Sequence, residues 1–335
     1  MSNPALSRSD TAPADRRSAP ATEFADSMLG ALGSQPRRIA PKFFYDERGS
    51  ALFERICSLE EYYLTRTEVA ILREHAAEIG QLIGERAEIT EFGAGSVLKA
   101  RILLDQLASP ARYVPVDLSV AHLRDVAPAL VREYPGLEVA PLEGDFLRPL
   151  ALPAHRADGS RRVGLFLGST IGNLGPEEAR AFLSRAACLF RGGGLLIGVD
   201  LVKDPAVLHR AYNDAQGTTA AFNLNLLARA NRELDADFDL RAFHHYAFYE
   251  PQGQRIEMHL VSARRQTVHV CGQQFLFDEG ESLHTENSQK YTIDGFCALA
   301  RRAGFVPGHV WCDPKRWYSV LWLAAPPVPI SATSA

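Results

Sequence analysis

Between residues 88 and 200 the chain keeps a repeating rhythm of short apolar runs and longer amphipathic stretches. "AEITEF", "RYVPVD", "LEVAPLEGDF", "RRVGLFLGST" and "GGGLLIGVD" read as strands. Between them, "SVLKARILLDQLA", "SVAHLRDVAPALVREY" and "GPEEARAFLSRAACLF" read as helices. Strands alternating with helices of this length imply right-handed crossovers and a doubly wound parallel sheet. "RRVGLFLG" and "GGLLIGVD" are almost wholly apolar, as central strands covered on both faces must be. The fold class is therefore α/β, of the Rossmann-like kind.

Around this core the rhythm changes. Residues 1–22, rich in Ser, Pro, Ala and charge, read as a disordered tail with no apolar secretory segment. "TRTEVAILREHAAEIGQLIG", residues 65–84, reads as one amphipathic helix, capped by Thr65 or Thr67 and ended by Gly84. After Leu201 a helical stretch gives way to extended runs, "HHYAFYE", "RIEMHLVSARRQTVHV" and "QQFLFDEGESLHTE", which suit an antiparallel meander. "GHVWCD" and "WYSVLWLAA" read as a closing hairpin. Residues 65–200 and 286–326 are expected to form the sheet domain. Residues 201–285 form an inserted α+β substrate-binding subdomain, joined by residues 23–64.

In an open α/β sheet, ligands bind beyond the carboxyl ends of the strands. "EFGAGS" lies at that edge of the first strand, with Gly93 and Gly95 leaving backbone open to a ligand. A dinucleotide fingerprint wants a small residue where Leu98 stands, and no Gly-Lys-Ser/Thr follows, so neither phosphate-binding reading fits. Asp117, ending the second strand 24 residues after Gly93, can accept from both hydroxyls of a ribose. Asp145, followed by Phe146, can take an adenine amino group while the ring packs beside the base. Aspartate often ends a strand merely as a turn residue. The ordered set of glycine turn, ribose acid and adenine acid, without a phosphate loop, describes S-adenosylmethionine and a methyltransferase rather than a dehydrogenase.

Five cysteines lie far apart without a Cys-x-x-Cys pair, and His244 and His245 point to opposite faces of an extended run. Neither a disulfide framework nor a metal site is expected. A net charge of −4 with scattered Lys and Arg disfavours nucleic-acid and anionic-membrane surfaces. No apolar run reaches the ~20 residues of a membrane span. The reading is of a cytoplasmic monomer acting on a small molecule.

"PKFFYDERGSALFERICSLEEYYLTRTEVAIL", "FLGSTIGNLGPEEARAFL", "GVDLVKDPAVLHRAYNDAQGTTAAFNLNLLARANREL", "RIEMHL" and "HTENSQKY" resemble the histidine Nα-methyltransferases of ergothioneine biosynthesis. The likeness runs from about residue 40 to 320. It implies three successive methylations of the L-histidine α-amine, through the mono- and dimethylated forms, to the betaine hercynine, with S-adenosylmethionine as donor. It implies donor contacts from Gly93, Lys99, Asp117, Asp145 and Phe146, and substrate contacts from Tyr62, Asn173, Tyr212, Glu286 and Ser288. It also puts Tyr45 beside the reacting amine. The glycine turn departs from the family pattern at Val97, where relatives often carry a hydroxyl residue.

The residue chemistry is compatible with these roles. Asn173 and Tyr212 supply neutral donors for a carboxylate, and Glu286 and Ser288, two apart on an extended segment, face the same way toward an imidazole. A tryptophan- or tyrosine-specific Nα-methyltransferase of the same architecture would leave Glu286 without a second ring nitrogen. A non-catalytic adenosine-binding protein would not need these four residues together.

Overall fold

The computed structural model describes residues 19–95, 97–118, 120–156 and 159–327. Most of the expected tail, residues 1–18, lies outside them; residues 19–22 open a helix, Ala19–Gly33. An eight-stranded sheet forms the centre. Its order is Val306–Cys312, Tyr318–Ala324, Gly194–Asp200, Arg162–Phe166, Glu88–Phe92, Arg112–Asp117 and Glu138–Val139, with Leu142–Glu143 also paired to Arg112–Asp117. The strands from Gly194–Asp200 to Glu138–Val139 pair in parallel, and Tyr318–Ala324 enters antiparallel. Glu88–Phe92 and Gly194–Asp200 are buried along their whole length, which explains the apolar run of the second; the first buries Glu88, Thr90 and Glu91 with it.

Two expectations are corrected inside this core. "LEVAPLEGDF" makes two short pairings, Glu138–Val139 and Leu142–Glu143, on either side of Pro141. Proline has no amide hydrogen to give a ladder. The helix expected over residues 65–84 is two helices, Tyr63–Glu74 and Ala76–Ile83. The axis bends at His75, whose ring sits 6.0 Å from that of Trp311. Gly84 ends the second helix at φ 86° as expected. Thr65 and Thr67 do not cap the first; the helix starts at Tyr63 because Tyr63 and Leu64 are themselves core residues.

A second sheet of four strands has the order Arg37–Arg38, Ser282–Gln289, Arg255–Ser262 and Phe243–Glu250. It is not a simple meander. The hairpin Gln266–Val270 with Gln273–Phe277 stands apart, and Ser282–Gln289 returns to pair antiparallel with Arg255–Ser262. The boundary expected at 285/286 falls inside that returning strand. The chain rejoins the central sheet just beyond it, where Tyr291 bridges to Leu201. The N-terminal segment contributes Arg37–Arg38, parallel to Leu283 and His284. The helix Glu47–Cys57, with Asp46 capping through the Gly49 amide at 2.7 Å, packs near the helix Thr218–Glu233.

Candidate active site

The glycine turn is pinned from below: Gly93 and Ala94 amides both donate to the Val116 carbonyl, at 2.9 and 3.2 Å. Gly93 has φ 69°, a region open to glycine at little cost. A Cβ at Gly93 or Gly95 would meet no heavy atom within 4 Å, so the backbone there faces open space of the kind an adenosyl group needs. Asp117 and Asp145 close the next two strand ends. Asp145 accepts from the Leu147 amide at 2.9 Å and pairs with Lys42 at 3.0 Å. Lys42 also reaches Glu23 of the first helix at 2.9 Å, tying the N-terminal segment to the acid expected to meet adenine. Phe146 is held by the rings of Phe166, Phe182 and Phe92, at 5.2, 5.8 and 6.4 Å.

Lys99 does not point freely into this space. It pairs at 2.5 Å with Glu68, which is fully buried and also accepts from the Gly168 amide and, at 2.8 Å, from the Tyr318 hydroxyl. Beneath the turn, the buried Glu91 accepts from Tyr113. Burial pushes its pKa up to about 7 against the pull of the Tyr113 hydrogen bond and Lys99.

The second sheet supplies the acceptor-side wall. On Ser282–Gln289, the register break after His284 puts Glu286 opposite Met258 and turns Ser288 the same way. The Tyr212 hydroxyl, at the end of the helix Pro205–Tyr212, donates to Ser288 Oγ at 2.7 Å. Burial raises the Glu286 pKa to about 7, opposed by the charge of Lys290. Asn173 ends a short 3₁₀ turn, Thr170–Asn173, that packs on the same strand. Gly172 makes that approach possible, since a Cβ there would lie 2.9 Å from the Gln289 carbonyl oxygen.

Aromatic rings complete the wall. Tyr62 meets Tyr212 edge-on at 6.3 Å, Phe53 meets Tyr62 at 6.3 Å, and Tyr45 meets Phe53 and Phe222 at 5.5 and 5.7 Å. Tyr45 keeps 36% of its surface accessible, yet burial and then the charge of Glu286 hold its hydroxyl pKa well above 10, with Asp117 adding to the rise. Its ring is packed by Phe53 and Phe222 on one side and open on the other, with Glu286 and Asp117 near enough to act on its hydroxyl. The structure thus brings Tyr45, Tyr62, Tyr212, Glu286 and Ser288 into one neighbourhood bordering the Asp117 edge. Sequence reasoning missed Lys42, Glu68, Glu91, Phe53, Phe222 and Lys290.

One group among the described residues could hold a metal: ligand atoms of Glu257, His259 and His284 lie within 4.8 Å of one another. It occupies the other face of the sheet from Glu286 and Ser288, and Arg255 engages the Glu257 carboxylate at 2.7 Å.

The strand order, with an antiparallel strand beside the last parallel one, is that of the S-adenosylmethionine-dependent methyltransferases. The second sheet brings Ser288, Glu286 and the tyrosine rings together beside the Asp117 edge. The chain belongs to the family described as histidine-specific, S-adenosylmethionine-dependent methyltransferases, whose model matches residues 24–325. It is 44% identical over 289 residues to the histidine N-alpha-methyltransferase of Mycolicibacterium smegmatis, covering 84% of this chain and 89% of that protein. It is also 44% identical to the Mycobacterium tuberculosis protein of the same name, covering 85% and 90%. Ergothioneine biosynthesis protein 1 of Neurospora crassa is 33% identical, matching 82% of this chain and 32% of its own length.

Proposed function

We propose that this chain transfers three methyl groups in succession to the α-amine of L-histidine, forming hercynine and opening ergothioneine synthesis. What carries the reading is Glu286 and Ser288 together on one strand face, beside a tyrosine wall that adjoins Asp117. S-adenosylmethionine supplies an electrophilic methyl on a positively charged sulfur. Gly93, Asp117, Asp145 and Phe146 hold it at the sheet edge, with Lys99 kept on Glu68 behind the turn. Asn173 and Tyr212 take the substrate carboxylate, and Glu286 and Ser288 take the imidazole. A substrate lacking ring nitrogens would leave a buried carboxyl and hydroxyl unmatched, at about 1–3 kcal/mol for each group.

Transfer needs a lone pair on nitrogen, and a free α-amine has a pKa of about 8. A neighbouring positive sulfur favours the neutral amine. Tyr45 and Tyr62 hold their protons firmly, because burial raises both hydroxyl pKa values. They orient the amine as neutral phenols, and its proton leaves to water. Rate then comes mainly from alignment of amine, methyl and sulfur. Tyr45, Phe53, Tyr62 and Phe222 offer ring faces to the growing cation. The reaction needs no metal. The chain works as a cytoplasmic monomer without nucleic-acid or membrane partners; no helix among the described residues is long and apolar enough to cross a membrane.

Mass spectrometry after incubation with S-adenosylmethionine and each of the twenty amino acids tests the reading. A gain of three methyl masses on histidine alone is expected. Methylation of a different amino acid, or of none, overturns it.

A further inference from the structure

Behind the proposed acceptor pocket lies a buried charge cluster that no substrate role yet uses. Lys290 and Asp200 are both fully buried and paired at 2.8 Å. An ammonium has three protons and no acceptor. Lys290 directs one to Asp200 Oδ2, one to Tyr212 Oη at 3.1 Å and one to Ser288 Oγ at 2.7 Å. Burial works against its charge, but Asp200 beside it wins and keeps the ammonium protonated. Asp200 itself is fixed by the Tyr63 hydroxyl at 2.8 Å and Lys203 at 2.6 Å.

The consequence for Tyr212 and Ser288 is a matter of counting protons. Each oxygen accepts from Lys290, and the two share a hydrogen bond at 2.7 Å. Two hydroxyls hold two protons, and one is spent between them. With Tyr212 donating inward, both lone pairs of Ser288 are filled and its proton faces the pocket. When a charged carboxylate draws the Tyr212 proton outward, Ser288 turns to donate to Tyr212 and meets the ring as an acceptor. Either way one proton is available to the substrate.

We infer that Lys290 is a positioning residue for the acceptor: it locks Tyr212 and Ser288 into a unit with a single outward proton, so that the carboxylate and the ring of the substrate are recognised jointly. This rests on the histidine reading above. Lys290 touches no substrate; it acts through the two hydroxyls.

The test is a double-mutant comparison in the full chain, with histidine as substrate and S-adenosylhomocysteine affinity as the control for an intact donor site. Lys290→Met is expected to lower kcat/KM for histidine at least tenfold through KM, with kcat within threefold and S-adenosylhomocysteine affinity within twofold. In a Tyr212→Phe/Ser288→Ala background the same change is expected to move kcat/KM less than twofold, because the groups it acts through are gone. An unchanged KM in Lys290→Met, or an equal loss in both backgrounds, overturns the inference. If Lys290→Met loses S-adenosylhomocysteine binding, Asp200→Asn/Lys290→Met, which removes the Lys290–Asp200 pair and leaves Lys203 on the Tyr63 hydroxyl and the Leu201 carbonyl, takes its place with the same expectations. Loss of binding in that variant too makes Lys290 a stability element and also overturns the inference. Failure of the wild-type chain to methylate histidine sinks the histidine reading and this inference with it. Failure confined to the variants sinks this inference alone.

Discussion

Replacing Glu286 by glutamine is expected to stabilise the ligand-free protein while weakening its hold on histidine. Burial raises the Glu286 pKa from 4.5 to about 7, so the folded state resists ionisation that the unfolded chain allows. Below the unfolded value the carboxyl is protonated in both states, and glutamine is a close match for it. As pH rises the unfolded state gains more from ionisation, and the wild type loses stability until the pH passes about 7. A shift of 2.5 units at ~1.36 kcal/mol per unit gives an upper value of about 3 kcal/mol at pH 8, and about 1 kcal/mol at pH 5. Denaturant unfolding of wild type and Glu286→Gln at both pH values reads the difference. The variant is expected to gain more at pH 8 than at pH 5, and to bind histidine at least several-fold more weakly at pH 8. An equal change at the two pH values, or a loss of stability confined to pH 8, would refute the burial argument.

Other outcomes follow from the same geometry. Asp117→Asn is expected to weaken S-adenosylhomocysteine binding about 10- to 100-fold, the worth of charged hydrogen bonds to a ribose; titration calorimetry checks it, and a change below threefold contradicts the role. Tyr45→Phe is expected to slow the third methylation most, leaving dimethylhistidine to accumulate in a mass-spectrometric time course; three unaltered methylation rates would remove Tyr45 from the reacting centre. Glu68→Ala strips the buried acceptor from Gly168, Tyr318 and Lys99 at once, with an expected loss of about 3 kcal/mol or more in unfolding free energy. A denaturant midpoint within error of wild type would show that the network is not holding the donor edge.

The parallel core was legible because its signals are local. Period, length and the glycines of "EFGAGS" lie within one stretch each, and the acids Asp117 and Asp145 sit at strand ends the rhythm already marks. Pro141 carried its own warning of a broken strand. The pairs Lys99–Glu68, Lys42–Asp145 and Lys290–Asp200 were not legible, since what makes them unusual is burial beside a partner 31, 103 or 90 positions away. A lysine in "NSQKY" looks like any surface lysine until a neighbouring strand end covers it. The break at His75, where the ring meets Trp311 from far along the chain, likewise had no local signal. Among the proposed site residues, the sequence named Tyr45, Tyr62, Tyr212, Glu286 and Ser288 by likeness. The Phe53 and Phe222 rings needed the helices Glu47–Cys57 and Thr218–Glu233 to be packed.

The Leu201–Tyr291 bridge makes the second sheet a separable part. Departure and return lie side by side, so the intervening ninety or so residues behave as a cassette plugged into one socket. Exchanging that cassette would replace Tyr212, Glu286 and Ser288 together and leave Tyr45, Tyr62, Asp117 and the glycine turn where they are. Three of the residues proposed to hold the acceptor therefore travel as one plug, while the edge built by the central sheet stays put.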